Sequence, residues 1–312
     1  MIERADVVAA RERIAGRVRS TPVLDADVPG PAGDIPVTLK LEYLQFGGSF
    51  KIRGSLNTLL HSARGCSEIV IASGGNAGIA AVTAARAQSV GCVVVVPENA
   101  PQAKVDALRD LGATVVLHGS TYEVAYARAT ELAAERNAFQ LHAYDLPDVV
   151  AGAGTIGLEL EEQVPEPNPI LVAVGGGGLI GGVAAAVGMN RRVVGVEPEG
   201  SPTLHEAMKH GEPVDVSVHG VAEDSLGATR LGGVAMEIVA RQTVSSVLVQ
   251  DSAIIAARTC LWRQFRIAVE WGGAAALAAV MSGAYVPQSG ERPIIVLCGA
   301  NTDPRDLYGD DR

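Results

Sequence analysis

Apolar positions along this chain fall into two alternating rhythms. Short runs of branched aliphatic residues without polar alternation recur at 68–72, 92–96, 114–117, 170–174, 193–196 and 294–297. Such runs fit strands covered on both faces, as in parallel sheets. Between them lie segments with helical character: 76–89, 102–111, 122–137, a stretch ending at 162, 181–188, 252–265 and the alanine-rich 273–282. An amphipathic helix is predicted over 5–19, followed by a proline-rich segment from 22 to 36 and a short strand at 37–41. This alternation predicts an α/β fold with two twisted, mostly parallel sheets flanked by helices, one sheet in each of two domains. No repeat or low-complexity linker interrupts it.

Composition narrows the partners. The 312 residues are 48% hydrophobic and 19% charged, which suits two domains with a large core and argues against disorder. A net charge of −10 removes any electrostatic reason to hold nucleic acid or an anionic membrane, so an anionic ligand needs a local cluster of donors. The apolar stretch at 170–189 is broken by glycines and reads as strand, turn and helix rather than a membrane span. Cys66, Cys92, Cys260 and Cys298 form no CxxC pair, so neither zinc nor a disulfide framework is suggested. Residues 1–20 lack an apolar secretory core, so the expected compartment is the cytoplasm, and no regulatory domain is expected after residue 312.

Three segments carry candidate chemistry. The strand at 171–174 runs into GGGGLIGG (175–182), where backbone amides and a helix N-terminus suit a phosphate. Gly176, Gly178 and Gly181 also fit a dinucleotide fingerprint, with Glu197 at the tip of the next strand as the ribose acid. That leaves an NAD-dependent oxidoreductase open, as well as glycines that serve only close helix–strand packing. In KLEYLQFGGSFKIRGS (40–55), Lys51 is flanked by Phe50 and Ile52, and burial would lower its pKa as a Schiff-base lysine requires. A surface lysine with a packed stem is the plainer alternative. In IASGGNAGIAAV (71–82) a strand meets a helix whose first amides suit a carboxylate, or a helix merely capped by Ser73 or Asn76.

Taken together, SFKIRG, SGGNAG, GGGGL and CGAN (298–301) occur in an order that resembles the fold-type II pyridoxal-phosphate enzymes, whose fold is like that of the tryptophan synthase β chain. The serine/threonine dehydratases, which are ammonia-lyases, look closest. AGAGTIGLE (151–159), VVGVEPEGS (193–201), GVAEDSLG (220–227) and AVEWGGAAALAAV (268–280) extend the resemblance over nearly the whole chain. Four ordered motifs displace the NAD reading, because a nicotinamide enzyme has no use for the first, second or fourth.

The resemblance implies that Lys51 holds the cofactor as a Schiff base and, once displaced, takes the substrate's Cα proton. It implies that Phe50 packs beside the ring and that Asn76 bonds the ring's 3-oxygen. Ser73 and the backbone of Gly75, Asn76 and Ala77 would bind the substrate carboxylate. Gly175, Gly176, Gly177 and Gly178, with the Leu179 amide, would hold the phosphate, and Gly220 would lie where backbone passes the ring. Cys298 would face the pyridine nitrogen, unless it is simply a small buried residue at a strand end. A thiol there makes a weaker electron sink than a carboxylate partner would, which favours prompt loss of a β-hydroxyl.

A monovalent cation, K+, is implied at Glu197, Ser201 and Thr203 with carbonyls near Leu226 and Ala228, against a Glu197 that only caps backbone. The implied domains are 1–42 plus 148–312, and an inserted 43–147, in a homodimer. The expected substrate is L-serine, L-threonine or a close 3-hydroxyamino acid. Alternatives in the fold are a racemase, a 3-hydroxyaspartate dehydratase and a diamino-acid ammonia-lyase. Serine racemases carry a serine where Gly74 stands, and a plainer use of Gly74 is a positive φ. Trp271 replaces a usual proline and Ala153 a frequent glutamine, both near the expected substrate side. These departures put substrate size in doubt and keep open a cofactor-binding protein without activity.

Overall fold

The computed structural model describes residues 2–303 together with Arg305 and Asp306. Helix α1 (Arg4–Ile14) precedes an antiparallel hairpin, β1 (Val23–Gly30) and β2 (Gly33–Lys40). Helix α2 (Lys51–Leu60) leads to an alternating unit: β3 (Glu68–Ala72), α3 (Asn76–Ala87), β4 (Gly91–Val96), α4 (Gln102–Asp110), β5 (Thr114–Leu117), α5 (Tyr122–Glu135) and β6 (Phe139–Gln140). Then come α6 (Pro147–Gln163), β7 (Ile170–Ala173), α7 (Gly178–Val187), β8 (Val193–Pro198), α8 (Thr203–His210), α9 (Glu223–Leu226) and α10 (Gly233–Val239). Strand β9 (Val244–Val249), α11 (Asp251–Phe265), α12 (Trp271–Ser282) and β10 (Ile294–Val296) complete the order.

The strands form two sheets. One has the order β1-β2-β10-β7-β8-β9 and is parallel except for the β1–β2 hairpin at its edge. The other, β5-β4-β3-β6, is parallel throughout. Strands β7 and β8 are buried at every residue because α7 and α12 both pack on them, which explains their unalternating apolar runs. Among the described residues no helix is long and apolar enough to cross a membrane.

Glycines on α6 set the spacing between the two chemical segments. A Cβ at Gly152 would lie 2.5 Å from the Arg53 carbonyl of α2, and one at Gly154 would lie 2.5 Å from the Gly182 carbonyl of α7. Helix α6 therefore packs directly against both the helix that begins with Lys51 and the helix that begins at the glycine loop. AGAGTIGLE is a packing motif first.

Several sequence expectations need correction. The proline-rich segment at 22–36 is mostly strand: Pro29 pairs with Asp34 and Asp27 with Pro36 in the edge hairpin. Edge strands tolerate proline, and Pro36 precedes the pairing of β2 with β10, which starts at Thr38. Strand β9 escapes the pattern because it is a half-exposed edge with two serines. Helix α3 starts at Asn76 with Gly75 as N-cap and no side-chain cap, so neither Ser73 nor Asn76 caps it. Gly74 does not have a positive φ.

Candidate active site

Lys51 opens α2, and the strand-like turn before it fixes its place. The Phe50 amide donates to the Cys298 carbonyl at 3.0 Å, and Ser49 forms a β-bridge with Gly299. The SFKIRG and CGAN motifs are thus joined by backbone. The Lys51 ammonium sits 5.1 Å from the Phe50 ring centre and donates to the Ala143 carbonyl at 2.9 Å. Burial lowers its pKa to about 8, against opposing contributions from Cys298 and Glu270. Burial pushes the Cys298 thiol well above its ordinary value, so it stays neutral, with Sγ 3.8 Å from the Gly272 carbonyl.

Asn76, at the first turn of α3, meets the same strand end. Its Oδ1 accepts from Asn301 Nδ2 at 2.6 Å, and its Nδ2 donates to Glu270 Oε1 at 2.6 Å. Ser73 Oγ accepts from the Gly75 amide at 3.4 Å, and a Cβ on Gly75 would lie 3.8 Å from the Asp224 carbonyl. Ala77 turns its methyl into the core of the smaller sheet. The helix-start amides remain free of intrahelical partners, as at any α-helix N-terminus.

The glycine loop enters from the other side. Helix α7 begins at Gly178, three residues earlier than predicted, after Gly177 takes φ +86° as its N-cap. A Cβ on Gly176 would lie 2.3 Å from Cγ of Tyr144, one on Gly175 3.2 Å from Leu226 Cα, and one on Gly177 2.5 Å from Leu231. The loop is wedged so tightly that only glycine fits, and Leu179 anchors it in the large core. Tyr144 adjoins Ala143, the residue that holds Lys51, so the lysine and the loop share one wall. His142 braces that wall: its Nδ1 accepts from the amides of Tyr144 (3.3 Å) and Asp145 (2.9 Å), and burial lowers its pKa.

Residues with these properties fit pyridoxal phosphate. A buried amine with a depressed pKa suits its aldehyde, a glycine cradle at a helix N-terminus suits its phosphate, and a neutral thiol is compatible with an unprotonated ring nitrogen.

The remaining predicted residues are placed as follows. Gly220 has φ +104°, and a Cβ there would lie 2.7 Å from the Asp251 carboxylate. Glu197 is fully buried and accepts from the amides of Leu204 (2.6 Å) and His205 (2.9 Å) and from Ser246 Oγ (3.2 Å), with Thr203 Oγ1 3.1 Å away. It faces the start of α8 rather than projecting as a ribose acid. Burial raises its pKa to about 7 despite these donors. Ser201 Oγ donates to the Leu226 carbonyl at 3.0 Å, and Thr203 Oγ1 to the Gly175 carbonyl, so four of the five cation residues converge beside the loop. Ala228 lies two residues beyond Leu226, the last residue of α9. Among the described residues no three or more of His, Cys, Asp and Glu gather as a metal cluster. The Trp271 ring stacks on the Arg258 guanidinium at 3.9 Å, and Ala153 is buried on α6.

Sequence reasoning missed Glu270, Asn301, Tyr144 and His142. Glu270 and Asn301 stood inside quoted motifs but had no assigned task. Tyr144 and His142 lie in LHAYDLP (141–147), which has no signal of its own.

Comparison with known proteins agrees with this geometry. The family model described as "Pyridoxal-phosphate dependent enzyme" matches residues 14–299. The chain is 35% identical over 303 residues to the L-threonine ammonia-lyase of Geobacter sulfurreducens, covering 96% of this chain and 75% of that one. It superposes on the crystal structure of the T.th. threonine deaminase with a TM-score of 0.86 at 32% identity, over 96% and 99% of the two chains. It is equally similar in shape to the serine racemase of Dictyostelium discoideum: TM-score 0.87 and 29% identity, over 97% and 99%.

Proposed function

This chain belongs to the pyridoxal-phosphate dependent enzymes, and from that premise we propose that it removes water and then ammonia from L-serine, L-threonine or a close 3-hydroxyamino acid, leaving a 2-oxo acid. The observation that carries this reading is Lys51: a half-buried lysine whose amine has its pKa lowered by burial to about 8 and donates to Ala143 in the wall of the glycine loop, next to Phe50, whose amide bonds the strand end at Cys298. The threonine ammonia-lyase relative at 35% identity supports the substrate class.

When bound, the cofactor supplies an aldehyde that joins a primary amine and a ring that delocalises the electron pair left when Cα loses its proton. Lys51 is the residue whose amine would meet that aldehyde and later hold the Cα proton. Phe50 flanks it. Asn76 would present an N–H to the ring oxygen, and the neutral Cys298 thiol would face the ring nitrogen. The amides of Gly175, Gly176, Gly177, Gly178 and Leu179 would hold the phosphate. Ser73 and the amides of Gly75, Asn76 and Ala77 receive the substrate carboxylate, with the α3 N-terminus adding favourable field. Gly220 is assigned to the backbone beside the ring.

A lobe comprising 43–147 carries Lys51 and the Asn76 loop, and the rest of the chain, 1–42 with 148–312, carries the phosphate loop. We also assign K+ to Glu197, Ser201, Thr203, Leu226 and Ala228. One buried carboxylate among neutral oxygens suits a single positive charge. A homodimer in the cytoplasm completes the proposal.

The test is a panel of amino acids assayed for oxo-acid release. Release from serine or threonine, with a visible absorbance band that borohydride bleaches and labels at Lys51, is the expected result. Absence of the band overturns the reading. Equal activity in potassium, sodium and bulky-amine buffers would remove the cation, and elution at monomer mass would remove the dimer.

A further inference from the structure

Behind Asn76 runs a chain of hydrogen bonds that ends on a carboxylate. Asn301 Nδ2 donates both to the Gly47 carbonyl (2.8 Å) and to Asn76 Oδ1 (2.6 Å), and Asn76 Nδ2 donates to Glu270 Oε1 (2.6 Å). The far end fixes the polarity, because a backbone carbonyl can only accept. Asn301 must turn its NH2 toward Gly47 and Asn76. Asn76 must then offer its oxygen to Asn301 and its NH2 to Glu270, so Glu270 accepts. One of the two N–H bonds of Asn76 is thereby used, and the other is held in a single orientation.

Glu270 occupies the N-cap position of α12, where a carboxylate would ordinarily turn onto the first amides of its own helix. It makes no such bond. Ser225 Oγ takes the Gly272 amide instead, at 2.9 Å. The Glu270 side chain, in a residue only 7% exposed, is directed at Asn76. Two glycines make room for the arrangement. A Cβ on Gly299 would lie 2.3 Å from Glu270 Oε1 and 3.2 Å from Asn76 Nδ2, and one on Gly48 would lie 2.5 Å from Asn301 Oδ1.

We propose that Glu270 is a positioning residue: it holds the Asn76 amide in one orientation so that the second N–H faces the cofactor's ring oxygen. This rests on the cofactor reading given above. Burial raises the Glu270 pKa to about 7, while the Asn76 bond and Lys51 pull it down, so acceptance from Asn76 helps to keep it ionised.

The test is titration of the apo-protein with pyridoxal phosphate, following the visible band and the dissociation constant. Glu270→Gln keeps an acceptor of the same shape and should bind within about threefold of wild type with the band little moved. Glu270→Ala should weaken binding roughly tenfold and shift the band maximum. Gly299→Ala, which removes no functional group, should act in the same direction. In an Asn76→Ala background the Glu270→Ala effect should vanish, because the chain then has nothing to hold. An effect of Glu270→Ala that persists undiminished in that background overturns the proposal, as does a band and affinity unchanged in both Glu270→Ala and Gly299→Ala. Should Glu270→Ala not fold, Gly299→Ala with and without Asn76→Ala decides by the same criterion. A wild-type protein that gains no band overturns the cofactor reading and this inference with it. A normal wild-type band with no Glu270–Asn76 coupling overturns the inference alone.

Discussion

Lys51 and Arg53 lie two residues apart at the start of α2, and both put a cation into the interior. Their surroundings are opposite. Arg53 spends its guanidinium on Glu42 (2.5 and 3.1 Å), Glu159 (2.6 Å), Thr155 (3.1 Å) and the Arg19 carbonyl (3.2 Å). Burial works against its charge, yet the two glutamates more than reverse that, and its pKa ends above the ordinary arginine value. Lys40 joins the same network through Glu159 at 2.7 Å. Lys51 has one carbonyl acceptor and, among the described residues, no carboxylate within hydrogen-bond reach, and burial leaves it at about 8. Two residues of one helix therefore separate a charge that is fully answered, and acts as scaffold, from a charge that is under-answered, and is free to react.

The largest test of that contrast removes each cation in turn. On the proposed role of Lys51, Lys51→Ala should lower turnover by at least about a thousandfold, since it would delete both the cofactor's attachment point and the proton acceptor. Its thermal midpoint should be unchanged or higher, because an incompletely paired amine leaves the interior. A variant that keeps full turnover without added amines would show the assignment to be wrong. Arg53→Met should do the reverse. It strands Glu42, leaves Glu159 with Lys40 alone, and should cost about 3–5 kcal/mol in urea unfolding, while each molecule that remains folded keeps turnover within a few-fold of wild type. If Arg53→Met is stable but inactive, the network belongs to the chemistry rather than the scaffold.

A smaller effect lies in pH. Only the neutral amine attacks an aldehyde, so the fraction of Lys51 able to react rises with pH and levels off above its pKa. With a value of about 8, the rate at which apo-protein gains its visible band should climb roughly tenfold from pH 6 to 7 and flatten above pH 8. An ordinary lysine would keep gaining to about pH 10. Stopped-flow absorbance across that range separates the two, and a rate still rising at pH 9 would mean that burial does not tune Lys51.

Much of this arrangement was legible in the chain, and the parts that were not share a cause. Periodicity exposed the strands buried on both faces, β3, β4, β7, β8 and β10, because their apolar runs have no alternation to confuse. It missed β1 and β9 at the sheet edge, where burial is partial and prolines or serines intrude. Motif order singled out Lys51, Asn76, the glycine loop and Cys298 as candidates. It did not reveal the partners that orient them. Glu270 and Asn301 lie 194 and 225 residues from Asn76, and nothing local in a sequence distinguishes a glutamate that caps its own helix from one that reaches across to another. The role of Glu159 was hidden for the same reason: its partners, Lys40 and Arg53, are more than a hundred residues away.

The smallest expected effect concerns the other side of the substrate. If Lys51 serves one face of Cα, racemisation needs a second acid/base group on the opposite face, since a proton must leave one side and return on the other. The serine racemases that this chain resembles carry a serine where Gly74 stands, and Gly74 has no side chain to move a proton. Its backbone does not demand glycine, because φ is not positive. A Cβ there would meet Val96 Cγ1 at 3.3 Å, a contact that a shift of a few tenths of an ångström relieves. Gly74→Ser should therefore fold with a stability change under about 1 kcal/mol. Wild type incubated with L-serine should release pyruvate with D-serine below about one-hundredth of that rate, because an unpositioned water lacks the advantage of a held group. Gly74→Ser should raise the D-serine fraction several-fold on chiral chromatography while oxo-acid release changes little. D-serine formed by wild type at a rate near that of pyruvate would mean that a group other than the residue at 74 already serves the second face, and the one-sided picture of Lys51 would have to be abandoned.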